Sequence, residues 1–227
     1  IFHFFGTSLG RYFTTNIEDA KTAISNGALG TNNRVVCIKQ SSATNGTIFE
    51  LCYNPDNKSV IERHIKDFTL SSSLVSTADV GAIIAEAAEA APANSYSMVF
   101  AGHGTGWIPR VLAESSVSTL ALGYDAWIPA EGAEVTRNFG ESNVKLDISE
   151  IAESIEYSGI ELDYILFDAC FMSNIEAVYD LRNSAKYIIA SPCEIMGKGF
   201  PYHRTLPHLF GESYNLKSAA ESYYLFY

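Results

Sequence analysis

Ser97-Met98-Val99-Phe100-Ala101-Gly102-His103-Gly104 and Leu162-Asp163-Tyr164-Ile165-Leu166-Phe167-Asp168-Ala169-Cys170 decide the fold. Each is a short apolar run that stops at a polar, reactive tail. Runs of this length suit strands rather than helices, and they suit a sheet covered on both faces. Residues 97–101 lead into His103, and residues 162–167 lead into Asp168 and Cys170.

Working outward, residues 1–5, 34–39, 47–53 and 187–190 read as further strands. The polar turn at 41–46 makes a hairpin of the second and third of these, and a turn follows at 54–58. Helices are expected at 16–26, capped by Asn16 and closed by Gly27, and at 77–91, capped by Thr77 and stopped by Pro92. Residues 147–157 carry Ile148, Ile151, Ala152 and Ile155 on one helical face, and residues 173–182 form a helix after Cys170. Residues 109–143 show little periodicity, which in a compact domain marks a functional or mobile stretch. Strands alternating with helices predict an α/β fold with a mostly parallel sheet. Chemistry in such sheets gathers at the carboxyl ends of the strands.

The 227 residues are enough for one large α/β domain, and 47% hydrophobic content excludes wholesale disorder. The Ala-rich run 80–93 is broken by Glu86 and Glu89 and falls short of a membrane span. A formal charge of −11 argues against nucleic acid as a partner. Cys37, Cys52, Cys170 and Cys193 form no CxxC pair and no zinc spacing. Cys37 and Cys52 can bridge only if their strands are neighbours. The chain starts at Ile1 with no leader and stops at Tyr227 in a helical pattern, so a mature segment of a longer protein is expected.

If the strands ending at 101 and 167 are parallel neighbours, His103 and Cys170 emerge on one edge of the sheet. An imidazole and a thiol in one cleft is what nucleophilic cysteine catalysis requires. The positive end of helix 173–182 would favour a thiolate. The amides of Gly104 and Cys170 would donate to a developing oxyanion. Read alone, Cys170 is a small buried hydrophobe and His103 a turn residue. Gly102-x-Gly104-x-Gly106 is one residue short of a dinucleotide fingerprint.

Three ordered segments resemble the clostripain family of cysteine peptidases. They are Val99-Phe100-Ala101-Gly102-His103-Gly104-Thr105-Gly106-Trp107, then Leu166-Phe167-Asp168-Ala169-Cys170-Phe171-Met172-Ser173-Asn174-Ile175-Glu176, then Ile188 to Ser191 with Gly197-Lys198-Gly199-Phe200-Pro201-Tyr202. The resemblance implies a caspase-like α/β/α sandwich and a cysteine endopeptidase with a polypeptide substrate. It implies His103 and Cys170 as the catalytic dyad, and Gly104 with Cys170 at the oxyanion. Asp168, Ser191 and Lys198 then fall at the specificity pocket, with capping of the next helix as the structural alternative for Asp168. The resemblance implies no required cofactor, allows Ca²⁺, and suggests a secreted or cell-surface bacterial protein cut between the His103 and Cys170 segments. The resemblance implies cleavage after Arg or Lys, but Lys198 stands where the family commonly has an acid, which leaves that basic specificity open. A silent relative that binds peptides in the same cleft is the second reading, and a nucleotide-binding domain the third.

Overall fold

The computed structural model describes residues 1–30, 32–42, 44–70, 76–106, 139–141, 144–210 and 214–227. Its main sheet contains β1 (Phe2–Phe4), β2 (Val35–Gln40), β3 (Asn45–Asn54), β4 (Ser59–Thr69), β5 (Tyr96–Ala101), β8 (Leu162–Asp168) and β9 (Ala185–Ile189), in the order β4-β3-β2-β1-β5-β8-β9. From β2 through β1, β5 and β8 to β9 every pairing is parallel; β3 and β4 are antiparallel. A small ribbon, β6 (Phe139–Glu141) with β7 (Val144–Leu146), forms a second sheet, and its Phe139 packs into the main core.

Period-two alternation in the central strands feeds two cores. Phe5, Val36, Ile38, Met98, Phe100, Ile165 and Phe167 face α2 (Thr77–Ala90), α3 (Ile148–Ser158) and α4 (Ile175–Asp180). Phe2, Phe4, Val35, Cys37, Val99, Tyr164 and Leu166 face α1 (Gly10–Ser25), the short α5 (Tyr202–Thr205) and α6 (Leu216–Tyr224). The expected mostly parallel sheet with helices on both faces is therefore observed, including the hairpin of β2 and β3.

Several local expectations are corrected. Helix α1 begins at Gly10 rather than at 16, with no side-chain cap at Leu9. Asn16 is no cap; it is buried in mid-helix, and its Nδ2 donates to the carbonyls of Lys198 and Phe200 at 2.8 and 3.4 Å. Ser76 rather than Thr77 caps α2, its hydroxyl accepting from the Asp79 N–H. Helix α3 lies where its apolar face predicts, and a capping box closes its start, with the Glu150 carboxylate accepting from the Asp147 N–H at 2.8 Å. Strand β4 was not anticipated because it lies at the sheet edge with most side chains exposed, which erases the apolar alternation. Cys37 and Cys52 do lie on adjacent strands, yet both are free. Cys37 pairs with Phe49, and Cys52 is three residues further on, so the two thiols point to opposite faces.

Candidate active site

Strands β1, β5 and β8 are adjacent and parallel, with Phe4 beside Ala101 and Ala101 beside Asp168. Their carboxyl ends therefore open on one edge. His103 and Cys170 each stand two residues past the paired positions Ala101 and Asp168. Several contacts stitch the two loops together. The Gly102 N–H donates to the Asp168 carbonyl at 3.2 Å. A Cβ added to Gly104 would lie 2.5 Å from the Cys170 carbonyl oxygen, and one on Gly106 2.8 Å from that of Phe171. Only glycine lets these backbones meet so closely, and Gly106 also needs its φ of +76°.

The His103 ring is half-buried, and its Nε2 lies 3.0 Å from the hydroxyl of Ser8, in the loop after β1. Nothing in the sequence around Ser8 signals this contact; it exists because β1 is the neighbour of β5. The ribbon strand β6 braces the other side, with the Gly140 N–H donating to the His103 carbonyl at 2.9 Å.

Cys170 is also half-buried. Burial pushes its thiol above the ordinary value, and Glu194 and Asp168 add to that, while a hydrogen bond from the Ile195 N–H opposes it. That N–H lies 3.4 Å from Sγ. The expected helix donor is corrected: α4 begins at Ile175, capped by Asn174, whose side chain accepts from the Ala177 N–H at 2.9 Å. Segment 191–195 instead runs back along the loop that carries Cys170. The Phe171 N–H donates to the Cys193 carbonyl and the Ser173 N–H to the Ser191 carbonyl, both at 3.1 Å. Phe171 itself adopts a φ of +59°, a left-handed kink in a non-glycine residue directly after Cys170. Ile195 was missed in the sequence because its contribution is a backbone N–H.

Asp168 does not cap the next helix. It is buried, its carboxylate accepts from the Phe200 N–H at 3.2 Å and from the Tyr202 hydroxyl at 2.8 Å, and Gly199 packs against it without a Cβ. Burial raises its pKa from the ordinary 3.8 to about 6, against the lowering effect of those two donors. Ser191 is half-buried and its Oγ accepts from the Cys193 N–H at 3.2 Å. Lys198 is exposed, while its carbonyl is one of the two held by Asn16. Trp107 and all of the expected processing stretch except residues 139–141 lie outside the described residues. Among the described residues no group of three or more His, Cys, Asp or Glu side chains can hold a metal ion, so no Ca²⁺ ligands are assigned. No helix among them is long and apolar enough to cross a membrane.

Comparison with known proteins agrees with this architecture. The chain is similar to iotapain, a secreted C11 cysteine protease from Bacteroides thetaiotaomicron, with a TM-score of 0.80 and 28% identity over 99% of this chain and 60% of that one. A C11 protease from the same organism in complex with an irreversible peptide inhibitor matches with a TM-score of 0.76 and 28% identity, over 100% of this chain and 57% of that one. An inactive zymogen C11 protease from Parabacteroides distasonis matches with a TM-score of 0.76 and 26% identity, over 100% and 57% of the two chains. The chain thus spans about 60% of the length of the solved proteins it matches, and it has their caspase-like fold. A search among curated proteins finds no significant match. The family model Peptidase_C11, the clostripain family, matches residues 7–227. The chain belongs to the clostripain family.

Proposed function

We propose that the protein is a cysteine endopeptidase whose nucleophile is Cys170 and whose general base and acid is His103. The observation that carries this reading is the pairing of Ala101 with Asp168 on neighbouring parallel strands, from which both reactive residues project two positions further. Burial leaves the thiol reluctant to ionise by itself, so the reaction needs His103 to take its proton. The thiolate then attacks the scissile carbonyl, and the tetrahedral oxyanion is held by the N–H groups of Gly104 and Cys170. His103 returns the proton to the departing amine, leaving a thioester on Cys170. It next draws a proton from water, which hydrolyses the thioester and restores the thiol.

In this reading Asp168 supplies the carboxylate at the base of the pocket for the residue before the scissile bond. Ser191 forms part of the wall, and exposed Lys198 sits at the rim. The preferred residue there is Arg or Lys. Support comes from the burial of Asp168 beside the nucleophile loop, whereas Lys198 lies open to solvent. The substrate is a polypeptide, as befits a relative of a protease captured with a peptide inhibitor. Residues 1–227 act as one peptidase domain, secreted like iotapain. Maturation proceeds by a cut within 109–143, as a zymogen relative suggests.

The decisive experiment is labelling with a peptide carrying a thiol-reactive group, read by intact mass and by the modified peptide. Rapid single modification at Cys170, lost in His103→Ala, is expected. Slow modification, or equal modification of Cys193, would return the protein to the reading of a silent peptide-binding relative.

A further inference from the structure

We propose that Ser8 is a positioning residue for His103, holding the imidazole so that Nδ1 faces the nucleophile. This rests on the cysteine-peptidase reading of the same site. The primary observation is the 3.0 Å contact between Ser8 Oγ and His103 Nε2. With Nε2 engaged by the hydroxyl, Nδ1 is the nitrogen left to exchange a proton with the Cys170 sulfur.

The mount for Ser8 is rigid. The Phe5 N–H donates to the Ala101 carbonyl at 2.8 Å, tying the end of β1 to the end of β5. The Gly6 N–H donates at 3.0 Å to Oε1 of Gln40, a side chain only 4% exposed, and Gly6 turns the chain with a φ of +105°. The Gly10 N–H donates back to the Thr7 carbonyl at 3.0 Å, closing the turn that contains Ser8 just before α1. The hydroxyl thus rests on β2, β1 and β5, three neighbouring strands of the sheet whose β5 leads to His103 and whose next strand, β8, leads to Cys170.

The chemistry suits a hydroxyl. When His103 is an imidazolium, or neutral with its proton on Nε2, Ser8 Oγ accepts from Nε2–H. When His103 is neutral with its proton on Nδ1, the same hydroxyl rotates and donates to Nε2. Ring orientation is therefore retained through both proton transfers, with no charged third group required. A partner that orients a histidine in this manner changes the rate through geometry and tautomer rather than through substrate binding.

The test compares Ser8→Ala, Ser8→Thr and His103→Ala in steady-state peptide hydrolysis, with thermal midpoints for all three. Ser8→Ala is expected to lower kcat by about tenfold to a hundredfold, the scale seen when the outer partner of a functional histidine is removed, with KM unchanged. Ser8→Thr, which keeps the hydroxyl, should restore kcat to within a few-fold, and His103→Ala should be inactive. Wild-type kcat in Ser8→Ala beside an inactive His103→Ala overturns the proposal and leaves the peptidase reading intact. A Ser8→Thr variant as slow as Ser8→Ala, with a matching fall in thermal midpoint, also overturns it, since the role is then structural. Retained hydrolysis in His103→Ala overturns both readings.

Discussion

Gly104 packs directly against the carbonyl of Cys170, so closely that a Cβ at this position would stand 2.5 Å from that oxygen. Backbone meets backbone here, and no flexible side chain can yield. Gly104→Ala must therefore shift either the His103 loop or the Cys170 loop. Displacements near 1 Å in a catalytic constellation cost about 100-fold. A loss of that order in kcat/KM is expected, together with about 1–3 kcal/mol of stability from overpacking. Near-wild-type kinetics would show that the two loops move independently of the chemistry.

Cys170→Ala should abolish hydrolysis while the fold survives. The thiol is half-buried and has one weak hydrogen-bond donor in Ile195 N–H, so its removal costs little packing. The kinetic loss should span several powers of ten, since no other group replaces a covalent nucleophile. Urea unfolding and peptide hydrolysis of the same preparation check both halves. Activity that persists and depends on Cys193 would move the nucleophile to the neighbouring segment.

Asp168 links pH to stability. Its carboxyl titrates near 6 in the fold against an ordinary 3.8, because burial disfavours the charge. Between those two pH values the folded state holds a proton that the unfolded state has released. The contribution of the protonated carboxyl is fully present below 3.8 and is lost as pH rises through about 6. The amount is on the order of 3 kcal/mol. Asp168→Asn can still accept from the Phe200 N–H and meet the Tyr202 hydroxyl, yet it does not titrate. Its stability relative to the wild type should rise by that amount between pH 4 and 7, measured by denaturant unfolding at each pH. A constant difference across the range would contradict this assignment.

The segment 196–199, which follows Ile195, is strapped from the far end of the chain. The Met196 N–H donates to the Tyr223 hydroxyl at 2.7 Å, and the Tyr227 hydroxyl donates to the Gly199 carbonyl at 3.0 Å. Between these straps and the sheet runs the segment whose Ile195 N–H reaches the sulfur. Tyr223→Phe removes the first strap and keeps the ring packed on Phe200. The thiolate loses a well-placed donor, so the pH midpoint of Cys170 alkylation should move up and kcat should fall several-fold. An unmoved alkylation profile would mean that Ile195 holds its place without Tyr223.

Substrate charge separates Asp168 from Lys198. Matched peptides with Arg, Gln or Glu before the scissile bond should be cleaved in that order. Lys198→Ala should preserve the order, since the lysine is exposed. A buried like-charge contact would instead cost enough to suppress Arg strongly. A preference for Glu that disappears in Lys198→Ala would place the lysine inside the pocket.

The central sheet, and the edge where β5 and β8 end, could be read from the sequence alone. Strands β5 and β8 were legible because residues buried on both faces must be continuously apolar, and the placement of His103 and Cys170 together just past their ends followed from that. Helix α2 was legible from its stop at Pro92 and α3 from the apolar face of Ile148, Ile151 and Ile155, signals that act over a few positions of chain, although the cap of α2 is Ser76 rather than Thr77. The tertiary structure decided the rest. Edge strand β4 exists through backbone pairing with β3 and carries little hydrophobic pattern. Helix α1 starts six residues earlier than Asn16 suggested, because that asparagine serves the distant carbonyls of Lys198 and Phe200 rather than a helix end. Ser8 reaches His103, Ile195 reaches Cys170, and Tyr202 reaches Asp168 across 95, 25 and 34 positions of sequence. Such contacts leave no periodicity, since they depend on where the sheet order returns the chain and on backbone N–H groups that nearly every residue type supplies.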